Sequence, residues 1–304
     1  MSNLSRTLRV WRRRAKAALP YVRRREFDIV RDKYSEVIEA LAFKPRLATA
    51  SSIETLVPNK CTPVDGELCL FVTHAAQSAL KRHVLWHIEK LIDAGIRVVL
   101  IVNADLSAAG LPIEPALSAR LQAAYLRENV GFDFAAWAQA WSLETSWHGC
   151  ERLYLINDSI VGPVSDNAFG AMLARIRQSR ADVIGLTEGA LPVPHLQSFF
   201  LAFNRGALHA ETVQRWLASM HALPTKGLVV DVYETRSSNH FTASGLKVEA
   251  IFPRLSMDPL AGNDTLLRWS ELVDAGFPYV KASLLPSLKS SARLQAVLPA
   301  ALRS

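Results

Sequence analysis

Apolar and polar positions along this chain fall into two periods. Short apolar runs predict strands at Leu68–Thr73, Ile96–Val102, Leu153–Asn157, Val183–Thr187, Phe199–Phe203 and Val248–Phe252. The run to Asn157 is apolar nearly throughout, which suits a central parallel strand covered on both faces. Between these runs the spacing turns helical. Lys81–Ala94 places Val84, Leu85, Ile88, Leu91 and Ile92 on one face and ends at Gly95, a C-cap residue. Phe134, Trp137, Ala138 and Trp141 stand at i, i+3, i+4 and i+7 behind Asp133, which is placed to cap their helix. Asp166–Gln178 repeats the spacing in Phe169, Met172, Leu173 and Ile176. Further helices are predicted over Phe27–Phe43, around Leu208–Met220 and over Asp264–Ala275. Residues 44–66, rich in Pro, Ser and Thr, predict a surface linker, residues 224–262 are mixed, and the tail from Ser283 predicts only a weak helix. The strand-helix-strand order over 68–102 implies a right-handed parallel crossover. The expectation is one α/β body behind an N-terminal helical extension, with no internal repeat.

Composition narrows the class. Half of the 304 residues are hydrophobic, enough for a substantial core. The longest apolar run, Val98–Val102, is far short of the ~18 residues of a membrane span. Three cysteines, Cys61, Cys69 and Cys150, lack metal-ligand spacing and fit reduced cytosolic thiols. The net charge of +7 is local: residues 1–26 hold nine Arg or Lys against Glu26 alone, which leaves the body at −1. A body without positive excess argues against nucleic-acid binding. The arm also bears Leu4, Leu8, Trp11, Ala15, Ala18, Leu19 and Val22 as a mostly helical apolar stripe. Residues 1–25 therefore suit an anionic membrane surface, the alternative being a solvated tail.

Polar residues gather where the strands end. Asn157-Asp158-Ser159, Asn103-Ala104-Asp105 and Thr187-Glu188 each follow an apolar run. In open α/β sheets ligands sit beyond the carboxyl ends of the strands. One polar rim holding Asp105, Asp158 and Glu188 is the expectation, although Asp158 also suits a simple turn cap. Asn129, Gly131 and Asp133 cluster at a helix N-terminus, a favourable place for phosphates or a ribose. The two tryptophans behind them suit core packing. No G-x-G-x-x-G follows the first strand, and no G-x-x-x-x-G-K-[ST], G-x-S-x-G or H-E-x-x-H occurs. The eight histidines lack zinc spacing.

Several segments together resemble the rhamnan synthesis protein F family: Arg127-Glu128-Asn129-x-Gly131-Phe132-Asp133-Phe134-x-x-Trp137, Leu155-Ile156-Asn157-Asp158-Ser159-x-x-Gly162-Pro163, Gly185-Leu186-Thr187-Glu188, and His195-Leu196-Gln197-Ser198-Phe199-Phe200. Asn263-x-Thr265-x-x-x-Trp269 and Gly276-Phe277-Pro278-Tyr279-Val280-Lys281 are similar to that family's C-terminal signature. The resemblance implies a glycosyltransferase A type fold, Rossmann-like, with helices on both faces of a mostly parallel sheet. Its expected boundaries are a basic arm over 1–26, a helix and linker over 27–66, the glycosyltransferase domain over 67–285 and a tail over 286–304.

The resemblance also implies roles. Asn157-Asp158-Ser159 occupies the place of an Asp-x-Asp motif, so Asp158 would hold a Mg²⁺ or Mn²⁺ ion that bridges the donor diphosphate. Arg127 or Lys281 could replace that ion. Asn129, Gly131, Asp133, Asn157, Asp158 and Ser159 would line a nucleotide-sugar donor, with dTDP-rhamnose expected. Glu188 or His195 would face the acceptor and serve as general base. Between 228 and 250 only Tyr233-Glu234 fits the family. The implied activity is transfer of a deoxyhexose, rhamnose, to a glycan or lipid-linked acceptor at the cytoplasmic face of a bacterial membrane. A non-catalytic glycan- or nucleotide-binding subunit is the competing class.

Overall fold

The computed structural model describes residues 44, 46–60, 64–76, 78–105, 107, 110–258, 260 and 262–303. The basic arm and the helix predicted over Phe27–Phe43 lie outside the described residues. The chain divides into two units, Met1–Lys44 and Pro45–Ser304, and the second carries the sheet.

In chain order the strands and helices begin with β1 (Ile53–Val57), β2 (Glu67–His74), α1 (Arg82–Asp93), β3 (Arg97–Ala104), α2 (Pro115–Arg120) and β4 (Ala123–Glu128). Then come α3 (Phe132–Leu143), β5 (Arg152–Asn157), β6 (Ile160–Val161) and α4 (Asp166–Gln178). β7 (Val183–Gly185), β8 (Glu188–Gly189), β9 (His195–Leu196) and β10 (Phe200–Asn204) lead into α5 (Arg205–His209) and α6 (Glu211–Ala218). α7 (Lys226–Val229) runs through a π-helical turn, Val230–Glu234, into α8 (Thr235–Ala243). β11 (Val248–Ala250), α9 (Asp264–Leu267), α10 (Trp269–Asp274), β12 (Val280–Lys281) and α11 (Ala292–Val297) complete the order.

Eight strands form one sheet in the order β1-β4-β3-β2-β5-β10-β7-β11. β4, β3, β2 and β5 run parallel to one another, and β7 and β11 share their direction across the antiparallel β10. Only β1, antiparallel to β4, also runs against them. After the edge strand β1, the chain lays down β2, grows outward through β3 and β4, then returns to the other side of β2 with β5. The order thus reverses between β2 and β5, where open α/β sheets take their ligands.

Strand pleating decides what each face buries. Cys69, Phe71, Val98, Leu100, Tyr154 and Ile156 face one core, shared with Val84, Ile88 and Leu91 of α1 and with Phe169 and Leu173 of α4. Their neighbours Leu68, Leu70, Val99, Ile101, Leu153 and Leu155 face the other, against α3 and α6. Helices therefore cover both faces, as expected. α3 is buried all round from Phe134 to Trp141, because Trp216 and Tyr233 close over Phe134 from outside. Trp137 donates its indole N–H to the Leu70 carbonyl at 3.1 Å. Both tryptophans are core residues.

Several predicted elements change. The linker predicted over 44–66 contains β1, whose polar-facing pattern marks it as a half-exposed edge strand rather than an apolar run. β4 and α2 fill the gap before the Arg127 segment, where the Ala-rich Ala123-Ala124 gives no strand period. The mixed region holds α7, the π-turn and α8. The helix predicted over Asp264–Ala275 breaks at Arg268, whose φ of −128° is not helical. In the tail beyond 286, Leu294, Leu298 and Leu302 share a small apolar cluster with Val161 and Val280. Asp133 does not cap α3 either, since the helix starts at Phe132 with Gly131 as its cap.

Candidate functional site

The pleat separates Asn157 from Asp158. Odd-numbered residues of β5 face α3, and even-numbered ones face α1. Asp158, just past the strand, follows that alternation and turns to the α1 side. Its Oδ2 accepts Thr73 Oγ1 at 2.6 Å, the His74 N–H at 3.3 Å and Lys81 Nζ at 2.5 Å. His83 lies 3.3 Å from its backbone carbonyl. Asp158 thus ties β5 to β2 and to the start of α1.

Asn157 turns the other way. Its Nδ2 donates to Asp133 Oδ2 at 2.6 Å, while Ser159 holds the amide oxygen through Oγ at 2.6 Å and N–H at 3.1 Å. Those two donors fix which end of the amide faces Asp133. Asp133 lies in the first turn of α3 and also accepts the Phe134 N–H at 3.1 Å. Burial raises its pKa to about 6 against the pull of Asn157, and the negative charge of Glu234 adds to the rise.

Glu234 is the residue the sequence pattern passed over. The π-turn directs it inward, where its carboxylate accepts the Ser198 N–H at 3.2 Å and the Ser198 hydroxyl, and lies 3.7 Å from His195 Nε2. Burial acts to raise its pKa, but His195 and Ser198 hold it below the ordinary carboxylate value. His195 moves upward: burial acts to lower it, and Glu234, the Val193 carbonyl and the charge of Glu188 outweigh that. The hairpin of β8 and β9 sets this pair, with Glu188 opposite Leu196 and Gly189 opposite His195. A Cβ on Gly189 would stand 2.5 Å from the His195 ring, so only glycine admits that approach. Glu188 is half-buried and acts on His195 through space. The Tyr233-Glu234 pair was the one visible signal for this wall of the site.

Lys281 completes the cluster. β12 pairs with β6 so that Lys281 stands opposite Ile160, and Ala282 N–H reaches the Ser159 carbonyl at 2.9 Å. Val280 enters the tail cluster, leaving Lys281 on the other side, with Nζ 4.0 Å from the centre of the Phe199 ring. Burial lowers its pKa to about 8, against the attraction of Glu234 and Asp133 and with the repulsion of Lys226. Asp133, Asn157, Ser159, His195, Glu234 and Lys281 thus converge beside the point where the strand order reverses.

Other expected residues stand elsewhere. Arg127 cannot replace a cation at the site. It is fully buried and its guanidinium is committed to Gln139, Asn103, Ser51 and the carbonyls of Glu128 and Val130. Asn129 is exposed and donates to Asp105 at 3.2 Å, at the rim beyond β3 and β4. Gly131 has φ +72°, and a Cβ there would lie 2.5 Å from Ala222 Cα. That approach lays the segment before α7 against the N-terminus of α3. Asp105 and Asp158 follow the carboxyl ends of β3 and β5, whereas Glu188 lies in the separate two-stranded sheet of β8 and β9.

The cation expected at Asp158 finds a poor donor set. Among the described residues no group of three or more His, Cys, Asp or Glu is arranged to hold a metal ion. The Asp158 carboxylate already carries the Lys81 ammonium as counter-charge. The residues present do not fit a resident divalent ion.

Two related sequences, both virulence protein VirA from Vibrio anguillarum, one of them strain ATCC 68554 / 775, are each 25% identical over 191 residues. The match takes in 52% of this chain and 60% of each relative, so the chain spans less than two thirds of their length. Among the described residues no helix is long and apolar enough to cross a membrane. The profile of rhamnan synthesis protein F matches residues 98–299, from β3 through α11 and thus across every residue of the cluster. With most of its length so matched, the chain belongs to the rhamnan synthesis protein F family.

Proposed function

We propose that this protein is a glycosyltransferase of the A type fold that moves a deoxyhexose, rhamnose, from a nucleotide-diphosphate sugar to a bacterial surface polysaccharide, with inversion. The observation that carries the reading is the convergence of Asp133, Asn157, Glu234 and Lys281 at the reversal of strand order. The sheet supports the fold assignment: co-directional strands flank β2, and one antiparallel strand, β10, is inserted late. Asp133 and Asn157, at the N-terminus of α3, suit the ribose and phosphate end of a donor.

Inverting displacement needs a base that takes the acceptor hydroxyl proton as that oxygen attacks the anomeric carbon. The bond to the diphosphate breaks in the same step, and the diphosphate leaves with the electron pair. Glu188 fits the base. Its carboxylate makes no hydrogen bond among the described residues, whereas Glu234 is held by Ser198 and His195. His195, raised toward its charged form, orients the pair rather than accepting the proton. The basic arm would hold the enzyme at the cytoplasmic membrane face, where a lipid-linked acceptor is presented.

A thermal-shift panel of dTDP-, UDP- and GDP-sugars tests the donor class, because a ligand that binds only the folded state raises the melting temperature. The stabilising sugar is then incubated with rhamnan acceptor, and release of nucleoside diphosphate is measured. Absence of any shift across the panel, together with absence of release, refutes the proposal.

A further inference from the structure

Resting on the reading of a nucleotide-diphosphate-sugar donor, we propose that Lys281, with Lys226 beside it, supplies the positive charge that binds the donor diphosphate and stabilises it as it leaves, with no metal ion. Three observations converge. The expected metal ligand Asp158 faces α1 and is paired with Lys81. The other candidate cation, Arg127, is saturated by structural bonds. Lys281 makes no salt bridge among the described residues and lies on the Phe199 ring instead. Burying an ammonium without a carboxylate partner is costly, and an anionic ligand removes that cost.

The two nearby acids do not take this role away. Asp133 is engaged by Asn157 and the Phe134 N–H, and Glu234 by Ser198 and His195, so neither closes on the ammonium. Lys226 is exposed at the start of α7 and close enough to repel Lys281. Like charges held together favour an anion between them. A diphosphate needs about two positive charges nearby, and these two lysines provide them. In the transfer step the bond from the anomeric carbon to the diphosphate oxygen breaks. The electron pair stays on that oxygen, and the lysines stabilise the added negative charge.

Isothermal titration of the full chain with thymidine, uridine and guanosine diphosphates, and with the matching monophosphates, tests this with and without excess EDTA. The expected result is diphosphate binding that EDTA does not change. Lys281→Met, which keeps the apolar stem on Phe199, should weaken diphosphate binding by roughly 10- to 100-fold and leave monophosphate binding nearly unaltered, while Lys281→Arg keeps most of the affinity. Lys226→Met, at an exposed position, should cost a smaller, severalfold loss and flatten the salt dependence. Melting curves show that each variant is folded. Binding that EDTA abolishes and Mg²⁺ restores, with both Met variants equal to wild type, overturns the inference but leaves the transferase reading standing. No binding of any nucleoside diphosphate overturns both.

Discussion

Asp133→Asn should make the protein more stable and inactive. In the folded chain the Asp133 carboxyl titrates near pH 6 rather than at its ordinary 3.8. The folded state therefore binds its proton more tightly than the unfolded state does. Below pH ~4 both states are protonated and the group costs nothing; between the two values stability falls as pH rises; above about 6 the full cost is present. At 1.36 kcal/mol per unit the cost has an upper value of about 3 kcal/mol. Asparagine keeps the shape and carries no charge, but its one amide oxygen can accept from Asn157 or from the Phe134 N–H and not from both, which takes back part of the gain. Loss of the attraction for Lys281 subtracts part of the gain, so about 1–2 kcal/mol is expected at pH 8, or several degrees of melting temperature. Scanning calorimetry of both proteins from pH 4 to 8 is the assay. The curves should coincide near pH 4 and separate through pH 6, with the variant higher. A variant that melts lower at pH 8, or a gap that does not depend on pH, would refute the buried-carboxylate account. A site that holds such a cost is one where function outweighs stability, so nucleotide release should fall in the more stable variant.

Glu188→Gln should lower turnover by about 100-fold with an unchanged melting temperature; if His195→Ala alone produces that loss, the base is His195. Arg127→Met should cost about 3–5 kcal/mol by removing the donor from the buried Gln139 Oε1, Asn103 Oδ1 and the Glu128 and Val130 carbonyls, while the folded fraction binds nucleotide normally. Weakened nucleotide affinity at unaltered stability would return Arg127 to the site. Removal of residues 1–25 should release the protein from anionic vesicles in a flotation assay, and undiminished flotation would show that the arm is not the membrane contact.

Much of the architecture was legible in the chain because burial imposes period. The apolar runs at β2, β3 and β5, and the 3.6-residue spacing in α1, α3 and α4, each state what must be covered. The placement of Asp105 and Asp158 after the carboxyl ends of β3 and β5 followed from the same runs. β1 and β4 were not legible, the first because an edge strand needs no continuous apolar run, the second because alanine carries little strand preference.

What tertiary structure alone decided is which of these polar residues meet. Asn157 and Asp158 are neighbours in sequence and read as one motif, yet the pleat sends them to opposite faces of the sheet. Glu234 and Lys281 lie far along the chain from Asp133 and reach it through a π-turn and a two-residue strand, elements with no periodic signature. Arg127 and Lys281 look equally able to meet a phosphate in the sequence. Only the packed fold shows that one ammonium is left open where the guanidinium is fully bonded, because hydrogen-bond satisfaction is a property of neighbours in space and not of position in the chain.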